Sequence, residues 1–272
     1  MSLRIQTNIE AFNAHRNLVT TENQLSTSME RLSSGFRINR AADDAAGLAI
    51  SEKLQTQVGG LDQAQRNAQD AVSLVQTGEG AMAEVQAMLQ RVRDLAVQYN
   101  NGTLGPADKA AITSEVAQLC AEISDIAQQT AFNGINLLSG GATITFQVGA
   151  NDGQTIAVTG VQLFGPGASY EIDPSVFNFS GATVVLACID AAIDNVSMAR
   201  ALFGSVQNRL QHTMNNLATY EQNLSASESS IKDVDMASEM TNLTKLQILE
   251  QAGTAMLAQA NSTPQSVLKL LQ

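Results

Sequence analysis

Side-chain chemistry needs acids, bases, nucleophiles or metal ligands gathered at set spacings, and this chain supplies few of them. The histidines are His15 and His212 alone, and the cysteines are Cys120 and Cys188 alone. That is too few ligands for a zinc-type centre, and the two histidines do not share a helical turn, so no metal site is expected. Each cysteine sits beside a core-type position on an expected helix, which predicts buried free thiols rather than a disulfide. Asp190 and Asp194 lie one helical turn apart and could share a cation, but the same spacing describes the solvated acidic face of a helix, and that is the expectation here. Asn178-Phe179-Ser180 fits an N-glycosylation acceptor by coincidence of type, and nearby Ser and Thr could carry O-linked sugar instead. No Gly-rich loop follows a strand to cradle phosphate, and the other carboxylates are scattered along helix faces. The chain is therefore expected to be no enzyme and to need no cofactor.

The elements that would position these residues are read from composition first. Hydrophobic residues make up 44% of the 272, aromatics only 4%, with no Trp and 4 Pro. Ala, Leu, Val and Ile diluted by Gln, Asn, Ser and Thr suit long helices that bury narrow stripes, not a thick sheet-based core. Fifteen basic against 26 acidic residues give −11, and no Lys/Arg-rich run could neutralise phosphates. Nucleic acid and anionic membrane are excluded as partners. Residues 1–43 carry a net +1 and residues 232–272 a net −1. The acid excess thus belongs to the middle, as expected if the ends pack inside an assembly and the centre faces water. Met1 to Asn8 holds no apolar leader core, and no run reaches the ~18 apolar residues of a membrane span.

Heptad spacing carries most of the fold information. Leu54, Val58, Leu61, Ala68, Val72 and Val75 form one track. Ala71, Leu74, Gly78, Ala81, Val85, Met88, Val92, Leu95 and Tyr99 form a second. Together they predict one helix from about Ala45 to Tyr99, about 80 Å long at ~1.5 Å per residue, with Asp43 and Asp44 at its positive end. Asn100 to Gly105 breaks it, and Pro106 with Asp108 reads as a new first turn. A shorter helix then carries Ile112, Val116, Leu119, Ile123 and Ile126. After Asn133-Gly134 the period drops to two, through Ile144, Phe146 and Val148, the turn Asn151-Asp152-Gly153, then Ile156 and Val158. This predicts a β-hairpin at about 140–160. Residues 160–181 read as a short exposed connection. From Val185 a further stripe runs through Ile189, Ala192, Val196, Ala199, Phe203, Val206, Leu210, Thr213, Leu217, Tyr220, Leu224, Ser227 and Ile231.

The two ends match each other. Ile5, Ile9, Phe12, Leu18, Leu25, Met29 and Leu32 face a C-terminal set of Met236, Met240, Leu243, Leu246, Leu249, Met256 and Leu257. Nested pairing of end with end and middle with middle is the economical solution. The fold class is thus mainly α, a nested antiparallel long-helix coiled-coil rod with a small β-hairpin. Residues 1–43 and 232–272 form an inner domain of terminal helices, and 44–231 an outer helical domain. Two thin helices bury too little area to offset their ordering entropy, so the ends are expected to be disordered in a monomer and to fold on association.

Several long motifs resemble bacterial flagellin. They are Glu30-Arg31-Leu32-Ser33-Ser34-Gly35-Phe36-Arg37-Ile38-Asn39, Asp43-Asp44-Ala45-Ala46-Gly47, the run from Leu89 to Gln98, Phe132-Asn133-Gly134, Gln147 to Gly153, and Gln247 to Thr254 followed by Leu257 to Asn261. Ala42 stands where the family commonly has Lys, and Gln272 where a terminal Arg is frequent. With only the 160–179 connection between hairpin and C-terminal helices, the chain resembles a core-only flagellin without large variable outer domains. Hook-filament junction proteins share the terminal motifs and the nested plan and are the alternative, but the Arg91-to-Gln98 run and the Gln147-to-Gly153 hairpin favour flagellin.

The resemblance implies a structural subunit of a hollow extracellular filament used for swimming, exported through the flagellum's own secretion channel. Its implied polymerisation core is Ile5, Ile9, Phe12, Leu18, Leu25, Met29, Leu32, Met240, Leu243, Leu246, Leu249, Met256 and Leu257. Its implied partners are further copies of itself, filament-cap and hook-filament junction proteins, and an export chaperone on Met236 to Leu271. It also implies recognition by the flagellin-sensing Toll-like innate receptor. The family's receptor and subunit contact falls on Gln90, Arg91, Asp94, Leu95 and Glu115, with Asp94 one methylene shorter than the family's usual Glu.

Overall fold

The computed structural model describes residues 8–140, 142–163, 179 and 186–270. Five helices account for most of these: α1 (Ile9–Ser34), α2 (Ala45–Tyr99), α3 (Pro106–Gln129), α4 (Leu186–Lys232) and α5 (Met236–Leu270). Two antiparallel hairpins lie between α3 and α4, one of β1 (Ala131–Phe132) with β2 (Ile135–Asn136), the other of β3 (Thr143–Gln147) with β4 (Thr155–Thr159). The 55-residue α2 has the bounds that the heptad count predicts. Two compact units divide the chain, one of residues 1–56 with 223–272 and one of residues 57–222. Their boundaries fall inside α2 and α4 and not at the connections.

In the unit of residues 57–222, α2 and α4 run antiparallel. Arg93 meets Asp190, Glu79 meets Arg200, and Gln65 meets Glu221. The core is continuous from Ala68 to Tyr99 on α2, Ile112 to Ala127 on α3, and Ile189 to Leu210 on α4, closed at one side by Val148, Ile156 and Val158 of the hairpin. The ring edge of Phe203 packs against Gly78, where a side chain would have no room. Tyr99 and Phe179 meet edge to face with 5.4 Å between ring centres. The stripe read along α4 is buried from Ile189 to Leu210 and again at Leu217, with Thr213 half-buried between, whereas Tyr220 is 46% exposed and Leu224 and Ile231 are half-buried. The connection read as exposed is buried at its described ends: Val161, Leu163 and Phe179 all join the core, and residues 164–178 lie outside the described residues. Both strands of the 140–160 hairpin pair in the register Ile144 to Val158 and Phe146 to Ile156.

The β1–β2 hairpin was not anticipated. Asn133 (φ 49°) and Gly134 (φ 78°) take the two left-handed positions of a type I′ turn, which Asn-Gly fills at least cost.

In the unit of the chain ends, α1 and α5 pair antiparallel. Asn8 Nδ2 donates to Ala260 O (2.7 Å), Leu18 packs on Gly253, and the Ser28 hydroxyl meets the Glu239 carboxylate. Asn8 caps α1 by accepting from Ala11 N, and Gly35 ends it in the left-handed conformation with its N–H returned to Arg31 O. The two connections clasp each other by backbone. Arg37 N donates to Lys232 O (2.7 Å), Val234 N donates to Gly35 O (3.0 Å), and Lys232 lies over the Phe36 ring. The acids at the head of α2 divide their labour: Asp44 accepts from Gly47 N inside the helix, whereas Asp43 turns back to accept from the N–H groups of Asn39 and Arg40.

Candidate functional site

Two surfaces follow from the sequence, one on each unit. On the α2 surface, Gln90, Arg91 and Asp94 are exposed, as the alternation around Val92 requires. Arg91 sends Nε and Nη2 to one oxygen of Glu115 on α3, at 3.0 and 2.7 Å. Arg93, pointing the other way, binds Asp190 on α4 at 2.6 Å, which holds the guanidinium's pKa above its ordinary value. The Arg91-Val92-Arg93 triplet therefore brackets α2 to both of its neighbours. Each pair is about half exposed and screened by water, so each contributes little, and Val92 and Leu95 beneath them supply most of the cohesion. Leu95 itself is 2% exposed and belongs to the core, so it is not an open contact side chain. Asp190 is engaged by Arg93, and among the described residues no group of three His, Cys, Asp or Glu could hold a metal.

The cysteines are both free. Cys120 is half-buried, and burial pushes its thiol pKa up. Cys188 is exposed, contrary to expectation, because it precedes the stripe residue Ile189 on the outer side of α4. Of the sequon-like triplet, Asn178 and Ser180 lie outside the described residues.

The second surface is made by the terminal helices. Of the predicted polymerisation core, Leu18 and Leu246 are buried, and Leu25, Leu32, Leu243 and Leu257 are half-buried in the α1–α5 seam. Ile9, Phe12, Met29, Met240, Leu249 and Met256 face solvent, with Phe12 at 70% and Met256 at 65%. Ile5 lies outside the described residues. The seam leaves a groove of about 640 Å³ lined by Leu18, Leu249, Gly253 and Met256 among smaller polar residues. Val19 and Ile248 are exposed apolar residues that the single-stripe count passed over. Their signal was present, since both helices carry apolar residues on more than one side, which a helix in a simple pair does not need.

Comparison with known proteins bears on both surfaces. The family model for the bacterial flagellin N-terminal helical region matches residues 5–143, and that for the bacterial flagellin C-terminal helical region matches residues 186–271. The chain belongs to the bacterial flagellin family. It is 49% identical to a flagellin of Halalkalibacterium halodurans over 98% of this chain and 99% of that one, and 45% identical to a flagellin of Bacillus subtilis over 99% and 100%. A flagellar filament 33 kDa core protein of Treponema phagedenis is 43% identical over 98% and 99%. Among solved structures, a Bacillus cereus flagellin aligns at 32% identity and a TM-score of 0.48, covering 60% of this chain and 94% of that one. Near-complete coverage of relatives in both directions fits a short, core-only member.

Proposed function

We infer that the chain is the structural subunit of a flagellar filament outside the cell, polymerising head to tail through its terminal helices to serve swimming. The observation that carries this is the apolar surface left around α1 and α5. Phe12, Ile248 and Met256 are each at least 60% exposed, on helices whose mutual seam, among the described side chains, buries only Leu18 and Leu246 of the large apolar residues. A monomer gains nothing from these side chains, whereas a polymer that packs terminal pairs against one another removes them from water. Burying one Phe is worth ~1.5–3 kcal/mol, a factor of about ten to a hundred in association. Phe12→Asp should therefore raise the protein concentration needed for filament growth at least about tenfold while leaving the monomer's helix content unchanged. Filaments forming at the unaltered threshold would overturn the assignment. Electron microscopy of the same samples separates a filament former from a junction protein, which would add to filament ends without forming long polymers.

The same exposed segment, from Met236 onward, is the surface that an export chaperone would cover before passage through the flagellar secretion channel, and cap and junction proteins would meet it at the filament's ends. On the other unit, Arg91 and Glu115, flanked by Gln90 and Asp94, form the patch that a flagellin-sensing Toll-like receptor would read. Because Arg91 and Glu115 are paired in this chain, the receptor would meet a dipolar pair, with Leu95 supporting it from below. Arg91→Ala should lower receptor-reporter potency about tenfold or more. Leu95→Ala is the poorer probe, since removing a buried Leu costs ~2–5 kcal/mol of fold stability.

A further inference from the structure

We propose that Asn101 is a site of spontaneous covalent modification, losing its side-chain amide to give aspartate and isoaspartate, and that the fold itself protects the chain's other Asn-Gly pair. Asn-Gly occurs twice, at Asn101-Gly102 and Asn133-Gly134. The dipeptide is chemically vulnerable because glycine has no Cβ to obstruct its own backbone nitrogen.

The two pairs stand in opposite settings. Asn101 lies in the exposed turn between α2 and α3. Its Oδ1 accepts from Thr103 N at 3.3 Å. That bond folds the side chain over the following backbone and polarises the Cγ carbonyl toward attack. The Gly102 N–H donates to no acceptor among the described residues, and the space where a Cβ would stand at Gly102 is empty to 4 Å. The backbone here is tied only by Asn101 N–H donating to Gln98 O at 3.0 Å and by a long bond from Leu104 N to Asn101 O at 3.4 Å, so the attacking nitrogen itself is unengaged and the exposed side-chain carbonyl is open to water. Asn133 and Gly134 are instead both locked left-handed in a type I′ turn whose flanks pair Phe132 with Ile135 and Ala131 with Asn136. Leu137 N donates to Thr130 O just outside this ladder, and Leu137 and Leu138 are buried in the core beyond it. Closing the five-membered ring would require the Asn133 backbone to rotate out of the turn against this pairing.

The chemistry balances without an oxidant or enzyme. Base in solvent removes the Gly102 amide proton, and the nitrogen attacks Asn101 Cγ. The N–Cγ bond forms, the Cγ–Nδ2 bond breaks, and Nδ2 leaves as ammonia after taking a proton from water. Water then adds to one of the two carbonyls of the cyclic imide. Opening at the side-chain carbonyl gives aspartate, and opening at the main-chain carbonyl gives isoaspartate with one extra methylene in the backbone. Either product places a new carboxylate just past the negative end of α2 and ahead of the positive end of α3, in a chain already at −11.

The full-length protein would be incubated at mildly alkaline pH and mapped by peptide mass spectrometry, with an isoaspartate-specific methyltransferase as second readout. Asn101 should convert first, Asn133 should stay intact over the same interval, and Gly102→Val should slow conversion at 101 by about tenfold or more. In denaturant the two sites should convert at comparable rates. An intact Asn101, equal conversion of both sites in the folded protein, or a lag at Asn133 that persists in denaturant would each overturn the proposal.

Discussion

Gly78 and Gly80 lie two residues apart on α2 and should respond differently to alanine. A Cβ at Gly78 would stand 2.7 Å from Phe203 Cε2 and 3.4 Å from Cζ. Carbon atoms in favourable contact are ~3.5–4.0 Å apart, so the methyl would overlap the ring edge by about 1 Å. Phe203 is 1% exposed and wedged among core residues, which leaves the ring no outward route. Overpacking of this kind costs ~1–3 kcal/mol, against which alanine recovers ~1 kcal/mol of helix propensity. Gly78→Ala should therefore be neutral to destabilising, by up to about 2 kcal/mol. At Gly80 nothing lies within 4 Å of the Cβ position, so Gly80→Ala should keep the whole propensity gain of ~1 kcal/mol. Hydrogen exchange of the α2 amides in the monomer, with urea unfolding by far-UV circular dichroism alongside, reads both changes. Phe203→Leu should relieve much of the Gly78→Ala penalty, because a shorter side chain vacates the ring edge. If Gly78→Ala stabilises as much as Gly80→Ala, the close packing of α4 on α2 at this level is wrong.

Cys188 should react with a thiol reagent faster than Cys120 in the folded protein, since it is exposed while burial raises the Cys120 pKa and lowers its thiolate fraction; equal rates in native buffer would contradict the placement of α4's outer face. Asp43 is held below the usual carboxylate range, chiefly by the backbone N–H groups of Arg40 and Asn39 and further by the charges of Arg31 and Arg40. Because its folded pKa is the lower one, its contribution is present above the unfolded value and is lost as pH falls through the folded value. A carboxyl NMR titration should place Asp43 below the exposed acids, and Asp43→Ala should remove acid sensitivity from the exchange of residues 37–44; an unshifted Asp43 resonance would refute the backbone contacts.

Much of this architecture was legible because helical periodicity in a long stripe is redundant. Fifteen or so spaced residues specify α2, and one exception such as Gly78 does not blur them. The strand period in Ile144 to Val148 and Ile156 to Val158 was read for the same reason, reinforced by the turn at Gly153. The β1–β2 hairpin escaped because its strands are two residues each, too short to show any period, so only Asn133-Gly134 marked it. The clasp of Arg37 with Lys232 and of Val234 with Gly35 escaped because backbone hydrogen bonds leave no side-chain signature. At the candidate surfaces, spacing placed Arg91, Leu95 and Glu115 on adjoining helices but could not tell that Arg91 would turn to Glu115 and Leu95 inward. Exposure depends on which neighbour covers a given side of the helix, and that is a tertiary fact. The terminal stripes show the same limit: the count identified apolar positions, but the division between seam residues such as Leu18 and open ones such as Phe12 needed the partner helix in place.

The central claim is that the terminal helices are held together weakly by their own seam and strongly by neighbouring copies. Hydrogen exchange measured on monomer and filament of the same protein tests it most directly, since local opening free energies are read amide by amide. Amides of α1 from Phe12 to Leu32 and of α5 from Met240 to Leu257 should exchange rapidly in the monomer, while those of α2 from Ala68 to Leu95 are protected. In the filament both terminal segments should slow by orders of magnitude. Terminal amides already as protected in the monomer as in the filament would contradict the account, because the exposed apolar faces of α1 and α5 would then have no burial left to gain from assembly.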